Sequence, residues 1–173
     1  IGQDAGYSAS SAAQVVAIGY QAGRSNTANN NIFIGNKAGF ANTIDIGNVF
    51  IGSQSGVLHT TGTNNTALGE GTLATDVNGT NNTALGEAAL ANNTGILNTG
   101  VGEASLLRNI TGSNNTAIGQ GNLDFNTSGS NNIAMGVTAL HANTTTDGSV
   151  AIGNSSLLLA TAGNNTAIGY SAG

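Results

Sequence analysis

The chain has 173 residues, among them 27 Gly and 26 Asn, with no Cys, Pro or Trp and a formal charge of −5. The absence of Cys excludes a disulfide scaffold and a thiolate metal site, and the charge has the wrong sign for a surface that tracks phosphates, so a nucleic-acid partner is not expected. No apolar run approaches the roughly 18 residues of a membrane span, and no signal peptide is expected in this stretch.

An apolar residue followed by Gly recurs from end to end. The first of each pair is Ile1, then Ile18, Ile34, Ile51, Leu68, Leu85, Val101, Ile118, Met135, Ile152 and Ile168, at steps of 16 or 17 residues. So short a period cannot hold two helices, and no window has the i, i+3, i+4, i+7 spacing of an amphipathic helix. It suits one coil of a parallel β-solenoid. About ten coils are expected, stacked ~4.8 Å apart into a rod roughly 48 Å long.

Within each coil, a β-branched residue stands three before the Gly: Val16, Ile32, Val49, Thr66, Thr83, Thr99, Thr116, Ile133, Val150 and Thr166. A small residue follows it at Ala17, Ala67, Ala84, Gly100, Ala117, Ala134, Ala151 and Ala167, broken by Phe33 and Phe50. Alternation in a strand puts the β-branched and Ile/Leu slots on one face and the Ala slot on the other. Interchange of Thr with Val and Ile reads as a packed position. The Ala column then faces a close neighbour. A lone roll offers only a few apolar side chains per coil against the entropy of ordering some seventeen residues, so association is expected to complete it. Ala67, Ala84, Ala117, Ala134 and Ala151 are the expected contacts of a homotrimer, with Phe33 and Phe50 stacking on its axis as an apolar plug.

Ahead of each strand, Asn30, Gly47, Asn64, Asn81, Asn114, Asn131, Gly148 and Asn164 exchange Asn for Gly, the sign of a turn with φ > 0. The next column, including Asn31, Asn48, Asn65, Asn82, Asn98, Asn115, Asn132 and Asn165, is expected to form an amide ladder between coils. After the Gly, early coils end Ala-Gly (about residues 1–56) and later ones Ala-Leu (about 57–160), in one array without a linker.

The run Asn81 to Leu90, Asn-Asn-Thr-Ala-Leu-Gly-Glu-Ala-Ala-Leu, and Ser149-Val150-Ala151-Ile152-Gly153 resemble the head repeats of trimeric autotransporter adhesins. Thr111 to Gly119 is similar to 17-residue repeats of phage tail fibres. The resemblance spans essentially the whole chain and implies a left-handed β-roll, three chains side by side, in an extracellular fibre on a cell surface or virion. It implies a host receptor or glycan as partner. Adhesin heads repeat at shorter spacing, so the coil here is expected to be larger. The chain begins and ends inside a repeat, which reads as part of a longer array or one unit of a filament.

Candidate chemistry is sparse. Glu70, Glu87 and Glu103 share one slot in successive coils, where a Ca²⁺ ion would relieve repulsion of about 1 kcal/mol; the slot also holds Gln3, Tyr20, Asn36 and Tyr170, which suits a solvated face. A glycosidase pair at that spacing lacks a cleft or buried acid. Gly69-Glu70-Gly71 and Gly119-Gln120-Gly121 open no helix, so they are repeat glycines rather than phosphate loops. His59 and His141 lack a second His at ligand spacing and read as surface residues. Thr66, Thr83, Thr99 and Thr116 would form an ice-binding file if exposed, although Val and Ile at the same slot suggest burial. No nucleophile, base and orienter are grouped, so the chain is not expected to be an enzyme, and no cofactor is implied. The leading expectation is a structural, adhesive fibre segment; the alternative is an ice- or polysaccharide-binding solenoid.

Overall fold

The computed structural model describes residues 1–9 and 12–173. Among the described residues there are ten strands of three residues each: β1 Val16–Ile18, β2 Ile32–Ile34, β3 Val49–Ile51, β4 Thr66–Leu68 and β5 Thr83–Leu85, then β6 Thr99–Val101, β7 Thr116–Ile118, β8 Ile133–Met135, β9 Val150–Ile152 and β10 Thr166–Ile168. All pair in parallel, each with its sequence neighbours, in one ten-stranded sheet ordered β1 to β10. The register carries every repeat position onto its copy: Ile51 pairs with Leu68, Leu68 with Leu85, and Leu85 with Val101. The sequence period is therefore the rise of a parallel β-solenoid of about nine turns.

The glycine after each strand is fixed by backbone geometry. Gly69 has φ +142°, and a Cβ there would lie 2.6 Å from the carbonyl oxygen of Gly86 in the next coil. A side chain meets a forbidden conformation and a backbone wall at once. The turn ahead of each strand also has the expected left-handed conformation, with φ near +60° at Asn30, Asn64, Asn81, Asn114 and Asn131. Leu97, the one Leu in that column, adopts it too, at φ +59°.

The alternation of faces is as read from the sequence, but inside and outside are exchanged. Ala67, Ala117, Ala134 and Ala151 are 0 % exposed, and Ala84 is 1 % exposed, within a single chain. They form the core with Phe33 and Phe50, both fully buried. These seven residues therefore cannot be the contacts between chains, and no plug of rings stands on an oligomer axis. The reason is the width of the coil: the strand lies so close to the opposite wall that a methyl fits where a Leu faces it, and a ring only where a Gly does. The β-branched and Ile/Leu columns point outward instead, with Leu68 46 % and Leu85 42 % exposed. The remaining members Ile18, Ile34, Ile51, Val101, Ile118, Met135, Ile152 and Ile168 are half-buried or exposed.

The same narrow interior accounts for the two subtypes of coil. In the later coils Leu73, Leu90, Leu106, Leu123, Leu140 and Leu157 reach inward across from the Ala column, and the first five are fully buried. In the early coils the bulk comes from the strand side. A Cβ on Gly56 would lie 2.6 Å from the Phe50 ring, and glycines 23 and 39 hold the same relation to Phe33. Phe with Gly, or Ala with Leu, fills one volume in two ways. The Leu residues keep the left-handed backbone of the glycines they replace, with φ +48° at Leu73 and +53° at Leu90. That conformation costs roughly 1–2 kcal/mol per residue, which burial of a Leu side chain, about 1.5–3 kcal/mol, offsets.

Candidate functional site

Two surfaces and one buried cluster carry the features from which a function can be built. The first surface is the outer face of the sheet. Each three-residue strand sends its first and third side chains outward, so ten strands present two files along the rod. One file is Val, Ile and Thr; the other is Ile, Leu, Val and Met. Thr66 and Thr83 are exposed, and Thr99 and Thr116 half-buried, so the Thr file reaches solvent and its expected burial is not found. Thr66, Thr83 and Thr99 pair in register beside Leu68, Leu85 and Val101. The result is a continuous strip, two side-chain files wide and without a charged residue.

The second surface lies just past the strand glycines. Glu70, Glu87 and Glu103 are exposed there in successive coils. Gln120 continues the column and its amide donates to the Glu103 carboxylate at 2.9 Å. No group of three or more His, Asp or Glu side chains converges to hold a metal ion among the described residues. Glu70, Glu87 and Glu103, the residues expected to share a Ca²⁺ ion, do not form such a group. On another stretch of surface Arg108 lies 4.3 Å from the centre of the Phe125 ring and 3.0 Å from Asp124.

Inside the rod, opposite the apolar core, run two polar ladders. In the expected one, each Asn from Asn31 to Asn132 accepts through Oδ1 from the backbone N–H at the same place one coil on. Asn82 N–H donates to Asn65 at 2.9 Å, and Asn132 N–H to Asn115 at 3.0 Å. The Nδ2 group crosses the coil to a backbone carbonyl, from Asn65 to Gly79 at 2.8 Å and from Asn115 to Gly129 at 2.8 Å. The ladder is thus mostly amide to backbone, with direct amide contacts between its own rungs at Asn65–Asn48 and Asn132–Asn115, both 3.2 Å. It stops buried peptide groups from being stranded, which would cost about 1–3 kcal/mol each.

The second ladder consists of Asn26, Asn42, Asn93, Asn109, Asn126 and Asn143, all 0 % exposed. Asn109 donates to Asn93 and Asn126 to Asn109, each at 2.6 Å. The two missing rungs are His59 and Asp76, in register with the others at steps of 16 or 17 residues. His59 is fully buried, which corrects its reading as a surface residue; His141 is half-buried, edge-on to Phe125. The signal for this column was present in the spacing from Asn93 to Asn143, and a lone His gave no sign of belonging to it.

Around His59 the interior carries charge. Its Nε2 lies 2.9 Å from the Gly62 carbonyl oxygen and 3.5 Å from Asp45 Oδ2. Its Nδ1 lies 3.1 Å from the Asp76 carbonyl oxygen and 4.0 Å from Asp76 Oδ2. The Phe50 ring closes one side, edge-on with centroids 5.1 Å apart. Burial pushes the Asp45 carboxyl up to about 6, against the pull of His59, with the Asp76 charge adding to the rise. Burial also raises Asp76, opposed by His59 and by the Gly79 N–H, which donates to its Oδ1 at 2.6 Å.

The chain matches no family model, no curated protein and no solved structure.

Proposed function

We propose that this chain is a structural and adhesive segment of an extracellular fibre, a left-handed β-roll that assembles as a homotrimer and extends a cell-surface or virion appendage toward a receptor or glycan. The observation that carries the reading is the unbroken outward strip of aliphatic and Thr side chains on the ten-stranded sheet. If each of the outward side chains leaves roughly 50 Å² accessible, the strip offers about 1,000 Å² per chain, above the ~800 Å² per partner of a standard interface. Long apolar strips of this kind mark interaction surfaces. The strip thus takes over the role expected of the Ala column, by a different set of residues.

Likeness to adhesin-head and tail-fibre repeats points the same way, as does a rod whose coils are tied together at every register position. No catalytic role is proposed for any residue. The test is the native mass of the chain and of the L85K/I118K variant. Trimers of the parent and monomers of the variant support the reading; a monomeric parent removes it.

The exposed Thr file favours one second reading. Thr66, Thr83, Thr99 and Thr116 pair in register and present hydroxyl and methyl groups at the coil repeat, as an ice- or polysaccharide-binding face would. Thermal hysteresis from a monomeric chain, or retention on an immobilised glycan lost in T83Y, supports this reading over the first.

A further inference from the structure

We propose that Asp45, His59 and Asp76 form a buried proton-responsive clasp, which makes the coils between β2 and β5 more stable in mildly acidic than in neutral solution. The three residues come from three consecutive connections, β2 to β3, β3 to β4 and β4 to β5, and each is at most 1 % exposed. Elsewhere the inner ladder is built of neutral amides, which both donate and accept. Here three oxygens in succession have no donor in good hydrogen-bond geometry: Asn42 Oδ1, Asp45 Oδ1 and Asp76 Oδ2. A buried acceptor without a donor is costly, and a buried carboxylate more so.

His59 cannot meet that shortage. Both of its ring nitrogens face backbone carbonyls, which only accept, so a hydrogen on either nitrogen is directed to a carbonyl first. Asn65 Nδ2, near Nε2, spends its hydrogens on Gly79 O and Asn48 Oδ1. The other groups packed around the cluster, Asn42, Asn48, Asn93 and Phe50, carry no charge. The cationic side chains Arg24, Lys37 and Arg108 lie over the surface rings of Tyr7, Phe40 and Phe125. One imidazole lies between the two carboxyls, so with both ionised the cluster holds at least one excess negative charge inside the rod. A proton taken up by Asp45 or Asp76 removes that charge and turns an orphan acceptor into a donor.

The direction follows from linkage. A carboxyl that titrates higher in the folded rod than in the unfolded chain contributes stability that is present below its unfolded value, 3.8, and is lost as pH rises through about 6. Asp45 alone changes the local opening equilibrium about tenfold between pH 7.5 and pH 5, and Asp76 acts in the same direction.

The experiment is thermal unfolding of the chain and of D45N/H59N/D76N, which completes the amide ladder, at pH 5 and pH 7.5. The parent is expected to melt higher at pH 5, and the variant at the same temperature in both. A parent that melts no higher at pH 5, or a variant that keeps the parent's shift, overturns the clasp. Exposed carboxylates such as Glu87 remain in the variant, so their contribution is separated by the comparison. Hydrogen exchange of the parent gives an answer even if the variant does not fold. The opening constant at the Asn65 amide is expected to fall about tenfold from pH 7.5 to pH 5 relative to Asn132; equal changes at both sites overturn the proposal.

Discussion

Phe50 and Gly56 offer the sharpest test of how the interior is filled. Removing the ring in F50A opens a cavity in a site with no exposure and should cost about 3–5 kcal/mol. Adding bulk in G56L drives a side chain into the ring, since a Cβ there lies 2.6 Å from two of its atoms. Overpacking of about 1–3 kcal/mol is expected, together with ~1–2 kcal/mol for a Leu at positive φ. The double variant F50A/G56L rebuilds the pairing of Ala67 with Leu73 found further along the rod, so the losses should not add. Guanidinium unfolding followed by circular dichroism on the parent, both single variants and the double should give a coupling energy of about 2–3 kcal/mol in favour of the double. Additivity within about 0.5 kcal/mol would refute the idea that the two coil types are alternative fillings of one volume.

Three further outcomes follow from the same structure. G69A should destabilise the rod by about 2–4 kcal/mol in chemical unfolding, because its Cβ meets the Gly86 carbonyl and its backbone stays at φ +142°. N115A removes the acceptor of the Asn132 N–H and the donor to the Gly129 carbonyl, so it should cost about 2–5 kcal/mol and speed hydrogen exchange at Asn132. R108A, by contrast, loses only a half-exposed ring contact and ion pair, and should lower stability by less than about 1 kcal/mol in the same assay.

Much of the backbone was legible in the amino-acid pattern because parallel stacking copies each position onto itself. The strand at Thr83–Leu85, the glycine after it and the left-handed turn at Asn81 all lie where their columns put them. Which face of the strand is inside was not legible. Alternation separates Ala84 from Thr83 and Leu85 but does not say which side holds the core. Hydrophobicity points to Leu, whereas the width of the coil decides for Ala. Phe33 and Phe50 held the missing clue, since each comes with glycine in the facing column, at residues 39 and 56. A large residue matched by Gly, and a small one matched by Leu, marks two walls of one interior. The candidate sites divide in the same way. The Glu70–Glu87–Glu103 stack was legible as an exposed column. The clasp at His59 was hidden because its partners Asp45 and Asp76 each stand alone in the sequence and meet only across three coils.

On the proposed reading the outward strip of the sheet, not the Ala column, joins one chain to the next. The chain has no Cys, so a spin label can be placed at one chosen site. Pulsed electron-spin measurement on L85C should show a short, narrow distance between labels on different chains, absent at E103C. A featureless signal at L85C, with an interchain distance only at sites away from the sheet, would contradict the account.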